Sequence, residues 1–271
     1  MPELPEVETT CRGIEGHLLQ ERFIGATVRQ HQLRWPIPRD LAHKIKDQTI
    51  HCVERRGKYI ILRLEQGSLI LHLGMSGSLR ILSANTPAEK HDHVDLLIND
   101  GRCLRLRDPR RFGSLHWISG DPMQHALLKN LGPEPLSDEF DSEYLFNKSR
   151  KRKLAIKLFI MDSKVVVGVG NIYASEALYR AGIRPARAAG RVSRKEYERL
   201  VEAIKQVLQD AIRSGGTTLQ DFTNSDGKPG YFKQQLHVYD RQDQPCTTCG
   251  SPIKHRVMGQ RSSYYCPQCQ K

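Results

Sequence analysis

Tyr59-Ile-Ile-Leu-Arg-Leu64, Leu69-Ile-Leu-His-Leu73, Val94-Asp-Leu-Leu-Ile98 and Cys103-Leu-Arg-Leu-Arg107 are short apolar runs separated by turn-forming residues such as Asn99-Asp-Gly101. Runs of this length, rich in Ile, Leu and Val and bounded by Gly, Asn and Asp, read as β-strands. The same texture extends from Phe23 to Ile118, and no long helical pattern alternates with it. An antiparallel sandwich or barrel is therefore favoured over a parallel sheet. Ahead of the strands, Pro5 to Leu19 reads as a helix. Pro5 suits its first turn, and Val7, Cys11, Ile14 and Leu18 recur on one face.

Beyond the strands, Leu131-Gly-Pro-Glu-Pro-Leu-Ser137 has the composition of a linker, and the chain then turns helical. The clearest helix runs from Arg194 to Arg213. Ser193 and Glu196 suit a capping box, Tyr197, Leu200, Val201, Ile204, Val207, Leu208 and Ala211 line one face, and Gly215-Gly216 closes it. Shorter helices are expected over 142–149, 152–162 and 171–181. The fold class is thus α+β: an N-terminal helix with an antiparallel β-sandwich domain over 1–131, a linker at 132–139, a helical domain over 140–235 and a cysteine-rich unit over 236–271.

That last unit carries Cys246-x2-Cys249 and Cys266-x2-Cys269 around a hairpin-length insert. Each CxxC turn can aim two thiolates at one tetrahedral ion, so the pattern reads as a four-cysteine zinc site, with one structural Zn2+. A disulfide pair and an iron–sulfur site are the alternatives. No long apolar run and no leader-like start are seen, which makes a soluble intracellular protein the expectation and disfavours disulfides. The remaining Cys11, Cys52 and Cys103 sit among apolar neighbours and read as reduced core thiols.

Lys and Arg number 42 against 30 acidic residues, a formal net charge of +12. Zinc held by four thiolates lowers this by two, to about +10, which still favours a polyanionic partner. An anionic membrane surface would need an amphipathic basic stretch with bulky apolar anchors, and none is present. Lys254, His255, Arg256 and Arg261 in the cysteine insert suit a nucleic-acid contact.

The start, Met1-Pro-Glu-Leu-Pro-Glu6, has two readings. A proline and acids in a first turn suit the helix dipole. Alternatively, trimming of Met1 would leave Pro2 with a free secondary amine of α-amino pKa near 8, partly neutral at pH 7. Such an amine can attack a sugar carbon and form an iminium that accepts electrons during elimination.

Taken in order, the PELPEVE start, Arg56-Gly-Lys-Tyr59, Leu73-Gly-Met-Ser-Gly77, Asp108-Pro-Arg-Arg-Phe-Gly113, Val167-Gly-Val-Gly-Asn-Ile-Tyr173 and the C-terminal cysteines resemble the bacterial formamidopyrimidine-DNA glycosylases over essentially the whole chain. The sister endonuclease VIII glycosylases share the proline and acid but usually have Gly where Leu4 stands. The resemblance implies that Pro2 is the nucleophile at C1′ and that Glu3 protonates the sugar ring oxygen. It makes Glu6 a supporting acid and Lys58 a proton donor in β-elimination. Met75, Arg110 and Phe112 match side chains inserted into the duplex when a base is flipped out. There Phe can wedge between bases, Met can fill an irregular void and Arg can satisfy the orphaned cytosine. His91, Arg152, Lys157 and Asn171 fall on DNA-contact positions, Asn171 in a helix–two-turn–helix element, and Arg261 on the residue assigned to δ-elimination. His91, Asp92 and His93 could suggest a metal site, but the family has none there. The turn-rich stretch from Gly216 to Tyr231 matches a loop that closes over the flipped base, and Gln220 stands where some relatives carry Lys.

The implied protein is a bifunctional glycosylase and abasic-site lyase removing 8-oxoguanine and formamidopyrimidines by β,δ-elimination. Its implied partner is double-stranded DNA with oxidised bases or abasic sites. It would act as a monomer, away from membranes, in the bacterial cytoplasm at the nucleoid. Two readings stay beside it at this point: an oxidised-pyrimidine glycosylase of the sister family, and a non-catalytic zinc-finger DNA-binding protein.

Overall fold

The computed structural model describes residues 2–216 and 235–271. Gln220 and the stretch around it lie outside the described residues. Two compact units are formed, one by residues 2–130 with 214–216, the other by 131–213 with 235–271. The helical segment is thus followed by a short return to the first unit, so the span 140–235 does not belong wholly to one compact body.

The first unit opens with α1 (Leu4–Leu18). It continues through β1 (Arg22–Val28), α2 (Leu41–Ile45), β2 (Gln48–Arg56), β3 (Tyr59–Leu64), β4 (Ser68–His72), β5 (Ser78–Ser83), β6 (Asp92–Ile98), β7 (Arg102–Arg107) and β8 (Ser114–Ile118). The strands run in the order β5-β7-β6-β1-β2-β3-β4-β8, and every pairing is antiparallel. In the middle, β1 and β2 share only the pairs Arg22↔Thr49 and Phe23↔Gln48. This narrow seam divides the sheet into two four-stranded halves. Val94, Leu96, Leu104 and Leu106 from one half and Ile60, Leu62, Leu69 and Leu71 from the other enter a single core. That is the expected sandwich, held by burial of alternating strand residues.

The predicted apolar face of α1, Val7, Cys11, Ile14 and Leu18, joins the same core. Burial pushes the Cys11 thiol up to about 12, in keeping with an inert core cysteine.

Of the three connections that cross between the halves, the two besides that from β1 to β2 lie side by side, and the topology requires it. β4 leads to β5 through residues 73–77, and β7 leads to β8 through residues 108–113. Because β4 pairs with β8 (His72↔Ser114) and β5 with β7 (Ser78↔Arg107), both crossings leave the sandwich at one end. Nearby, the buried Arg105 binds both carboxylate oxygens of Asp95, at 2.7 and 2.9 Å. It also donates to the carbonyls of Thr86 and Pro87, which fixes the chain leading to His91.

The second unit contains α3 (Ser142–Ser149), α4 (Ile156–Met161), α5 (Asn171–Ala181), α6 (Arg194–Arg213) and the hairpin of β9 (Lys254–Met258) and β10 (Arg261–Tyr265). α6 has the bounds expected, and the Glu196 carboxylate accepts the Ser193 N–H at 2.8 Å. The helix expected over 152–162 is shorter. Residues before Ile156 are instead tied to another segment, Ala155 bridging Ala188 and Ile156 N–H donating to Arg187 O. Arg152 therefore lies in an exposed turn rather than a helix.

The cysteine hairpin docks on α5. Tyr179 packs with Val238, Cys246, Ile253 and Cys266. Buried Glu176 accepts N–H bonds from His237, Val238 and Tyr239, each at 2.9 Å. Three donors on one carboxylate offset the cost of burying it.

Candidate active site and nucleic-acid interface

Glu3 and Glu6 bear on both readings of the N-terminus. They cap α1 reciprocally, and the Glu3 N–H donates to a Glu6 carboxylate oxygen at 2.8 Å. Acids that merely answered a helix dipole would sit in water. Here Glu3 is 3% exposed, Glu6 is 0% exposed and Pro2 is buried beside them. Burying two carboxyl groups is costly, and it is a mark of sites whose acids do chemistry. Gly216 closes over Glu6: a Cβ there would lie 3.2 Å from Glu6 Cγ and Oε1, and its φ of +83° already excludes most side chains.

Lys58 stands in the turn of the β2–β3 hairpin, after the pair Arg56↔Tyr59. That hairpin is tied to the first turns of α1 through Glu8. Its carboxylate takes Arg55 Nε at 2.8 Å and Arg12 Nε at 2.8 Å, while Arg55 also holds Gly57 O at 3.1 Å. Burial works against the Glu8 carboxylate, but the two guanidiniums outweigh it and hold its pKa below the usual value. Neither Glu8 nor Arg55 was marked by the sequence, because a surface-like Glu–Arg pair has no distinguishing pattern.

Met75 is half-buried, and Arg110 and Phe112 are exposed; they occupy the two side-by-side crossings. Phe112 leaves 44% of its surface in solvent, an unusual cost for a large apolar ring in a loop, and the Arg110 guanidinium lies 5.1 Å from its centroid. His91 adjoins them, its carbonyl accepting the Asp108 N–H at 3.0 Å.

His72 braces the Met75 crossing from beneath. Its Nδ1 accepts the Gly74 N–H at 3.0 Å, so that nitrogen carries no proton. Burial, with Lys58 and Arg34 nearby, pulls its pKa from 6.5 to about 4. Unfolded, the ring takes up a proton below pH 6.5; folded, it does so only near pH 4. Stability should therefore fall as pH drops from 6.5 towards 4, by on the order of 3 kcal/mol, and change no further from this group below that. Urea unfolding at pH 7 and pH 4.5 checks this. The pH difference should shrink in His72→Asn, and an equal difference in both proteins would refute it.

In the second unit, Asn171 is the first residue of α5, after the Gly170 cap, and its Oδ1 is buried with no hydrogen-bond partner among the described residues. Arg152 is exposed, as a phosphate contact requires. Lys157 is not. It is 0% exposed, and its Nζ donates to Ser262 O and Ser263 Oγ, each at 2.8 Å. Its ammonium is engaged with β10, directly after the exposed Arg261. Of these two positions, Arg152 is thus a surface charge and Lys157 a buried brace, a distinction that spacing along the chain does not encode.

The Sγ atoms of Cys246, Cys249, Cys266 and Cys269 all lie within 4.8 Å of one another. Two of the separations are 3.9 and 3.4 Å. Tetrahedral zinc, with bonds of about 2.3 Å, places its sulfurs roughly 3.8 Å apart, so the cluster fits that ion. Backbone N–H groups of Thr248 and Cys269 point at Cys246 and Cys266 sulfurs, at 3.5 and 3.4 Å, and would stabilise thiolates. Among the described residues this is the one group arranged for a metal; His91, Asp92 and His93 form none.

Three family models match the chain in succession. They are the formamidopyrimidine-DNA glycosylase N-terminal domain over residues 1–115, the H2TH domain of the same enzymes over 131–223, and the zinc finger found in FPG and IleRS over 243–271. Formamidopyrimidine-DNA glycosylases of Thioalkalivibrio sulfidiphilus and Syntrophotalea carbinolica are 58% and 57% identical to it, with full coverage of both chains. The chain belongs to the formamidopyrimidine-DNA glycosylase family. The crystal structure of the MutM (Fpg) protein of Thermus thermophilus covers 99% of this chain and 98% of its own at 37% identity, with a TM-score of 0.89. The Lactococcus lactis Fpg (MutM) in complex with a Fapy-dG-containing DNA covers 99% of this chain and 100% of its own at 32% identity, with a TM-score of 0.91. Within this family the four cysteines bind one structural Zn2+. Among the described residues no helix is long and apolar enough to cross a membrane.

Proposed function

We infer that this protein is a base-excision-repair glycosylase and abasic-site lyase for oxidised purines, 8-oxoguanine and formamidopyrimidines, in double-stranded DNA. The observation that carries the catalytic assignment is the burial of Glu3 and Glu6 against Pro2 at the head of α1, in a chain otherwise strongly basic. With Met1 removed, the neutral Pro2 nitrogen attacks C1′ as the bond from C1′ to the base breaks. The base departs with the proton that the Pro2 nitrogen gives up, Glu3 protonates the sugar ring oxygen, and the C1′–O4′ bond breaks as the nitrogen lone pair forms the iminium. Loss of a C2′ proton sends its electron pair into the iminium to give an enamine, which then expels the 3′ phosphate with the C3′–O bonding pair, Lys58 supplying a proton. A C4′ proton is then lost into the conjugated iminium and the C5′–O bond breaks, its pair leaving with the 5′ phosphate, assisted by Arg261.

Met75, Arg110 and Phe112 fill the space the extruded base leaves. His91, Arg152 and Asn171 hold phosphates. Lys157, which the sequence also assigns to DNA, serves better as a brace for the Arg261 hairpin, given its burial. Residues 1–131 supply the chemistry, 132–139 link, 140–235 bind DNA and 236–271 carry the zinc finger. We take the protein to work as a monomer, and a DNA substrate supports a location in the cytoplasm at the nucleoid.

Parallel single-turnover assays on duplexes carrying 8-oxoguanine or thymine glycol test the reading. Faster excision of 8-oxoguanine is expected; preference for thymine glycol would move the chain to pyrimidine repair.

A further inference from the structure

Asp108 has none of the roles above, yet the parts of the insertion surface converge on it. It is completely buried. One carboxylate oxygen accepts the Gly113 N–H at 2.7 Å, and the other faces Ser76 Oγ at 3.5 Å. Its N–H donates to His91 O at 3.0 Å, while its carbonyl accepts His93 Nε2–H at 2.8 Å and Arg111 N–H at 3.2 Å. Three separate segments, those carrying Met75, His91 and the pair Arg110 and Phe112, are therefore bonded to one residue.

The contact between the two crossings is close enough to exclude even a methyl group. A Cβ on Gly74 would lie 2.4 Å from both Gly113 N and Phe112 C, and Gly74 has a φ of +64°. Behind them, Gly113 O accepts the Arg34 N–H at 3.1 Å. Loops so joined move as one body, whereas two independent loops would each have to be ordered when DNA arrives.

We propose that Asp108 is a positioning residue for base extrusion, holding Met75, Arg110 and Phe112 as a preassembled wedge. The proposal rests on the reading of those three side chains as duplex-inserting. Asp108 has no part in the bond-making at Pro2. Its contribution is to the step that empties and refills the base stack, where a misplacement of about 1 Å costs up to roughly a hundredfold in rate.

The test compares two substrates in single turnover with excess full-length enzyme. One is a duplex with 8-oxoguanine opposite cytosine, which needs extrusion. The other is a single-stranded oligonucleotide with an abasic site, whose aldehyde needs none. Asp108→Ala and Gly74→Ala should slow the first by roughly tenfold to a hundredfold and leave the second within about twofold of wild type. Asp108→Asn, whose amide oxygen can still accept the Gly113 N–H, should recover most of the duplex rate. Circular dichroism identifies any variant that has not folded, and Gly74→Ala, which retains the carboxylate, then carries the comparison. Equal losses on both substrates would reduce Asp108 to general scaffolding and overturn the proposal. So would wild-type duplex rates in Asp108→Ala and Gly74→Ala while Phe112→Ala is impaired. If Phe112→Ala itself excises at the wild-type rate, the insertion reading beneath the proposal is what fails.

Discussion

Pro2→Gly is expected to lower 8-oxoguanine excision by roughly a hundredfold or more, the scale of losing a positioned catalytic group. The glycine would still present an α-amine with a pKa near 8, so nucleophilic nitrogen as such is not what disappears. The secondary amine is lost, and with it the cationic iminium that forms without needing a further proton. So is the ring that holds the nitrogen in place at the entrance to α1, beside buried Glu3 and Glu6. Borohydride reduction during turnover provides the measurement. In the wild type the trapped DNA should map to the N-terminal peptide, and in the variant trapping should fall in step with excision. An adduct found on Lys58 or another internal lysine would transfer the nucleophile's role away from Pro2. Intact-mass measurement of the purified protein should also find Met1 absent, since a peptide bond on Pro2 nitrogen forbids the chemistry.

Cys246→Ser is expected to have an effect of similar size through an unrelated cause. The hairpin of β9 and β10 has two strands and rests on a small cluster around Tyr179, Val238, Ile253 and Cys266. A two-stranded hairpin on so small a core is not stable alone, and structural zinc contributes roughly 10–16 kcal/mol of binding free energy to such units. With one ligand gone, Arg261 loses its support and the Lys157 ammonium loses its acceptors at Ser262 and Ser263. Affinity for a duplex with an abasic-site analogue should fall together with strand cleavage, while the β-sandwich keeps its own unfolding transition. Atomic absorption should find one zinc per chain in the wild type and none in the variant. A zinc-free variant that binds as tightly as the wild type would disprove the role given to the metal.

Much of the fold was legible because its elements carry local signals. α6 announces itself through Ser193, Glu196 and an unbroken apolar face, and its bounds match. The strands are punctuated by turn residues, and the zinc ligands by their spacing. α4 is the instructive exception. The run from Arg152 suits a helix, but bridging to Ala188 claims residues up to Ala155, and a tertiary pairing outweighs a local preference.

Of the candidate site, residue types and loop positions could be read, but burial could not. Glu3 and Glu6 look like ordinary first-turn acids until their exposure is known, and Lys157 looks like its neighbours Arg152 and Lys153. Glu8, Arg55, His72, Asp108 and Glu176 carry no role that the sequence assigns. Each acts by holding backbone or another side chain from a distant part of the chain, and such partnerships leave no trace in spacing.

The return of the chain after α6, which sets Gly216 against Glu6, bears on how this protein can be divided. A gene fragment ending at residue 130 encodes every strand of the sandwich, yet not the backbone that covers Glu6. The two units are separate as bodies but not as stretches of code. Recombination at the linker would exchange the helical unit and in the same stroke replace a piece of the active site. Chimeras between relatives should therefore tolerate exchange of 131–213 together with 235–271 better than a single junction at 131.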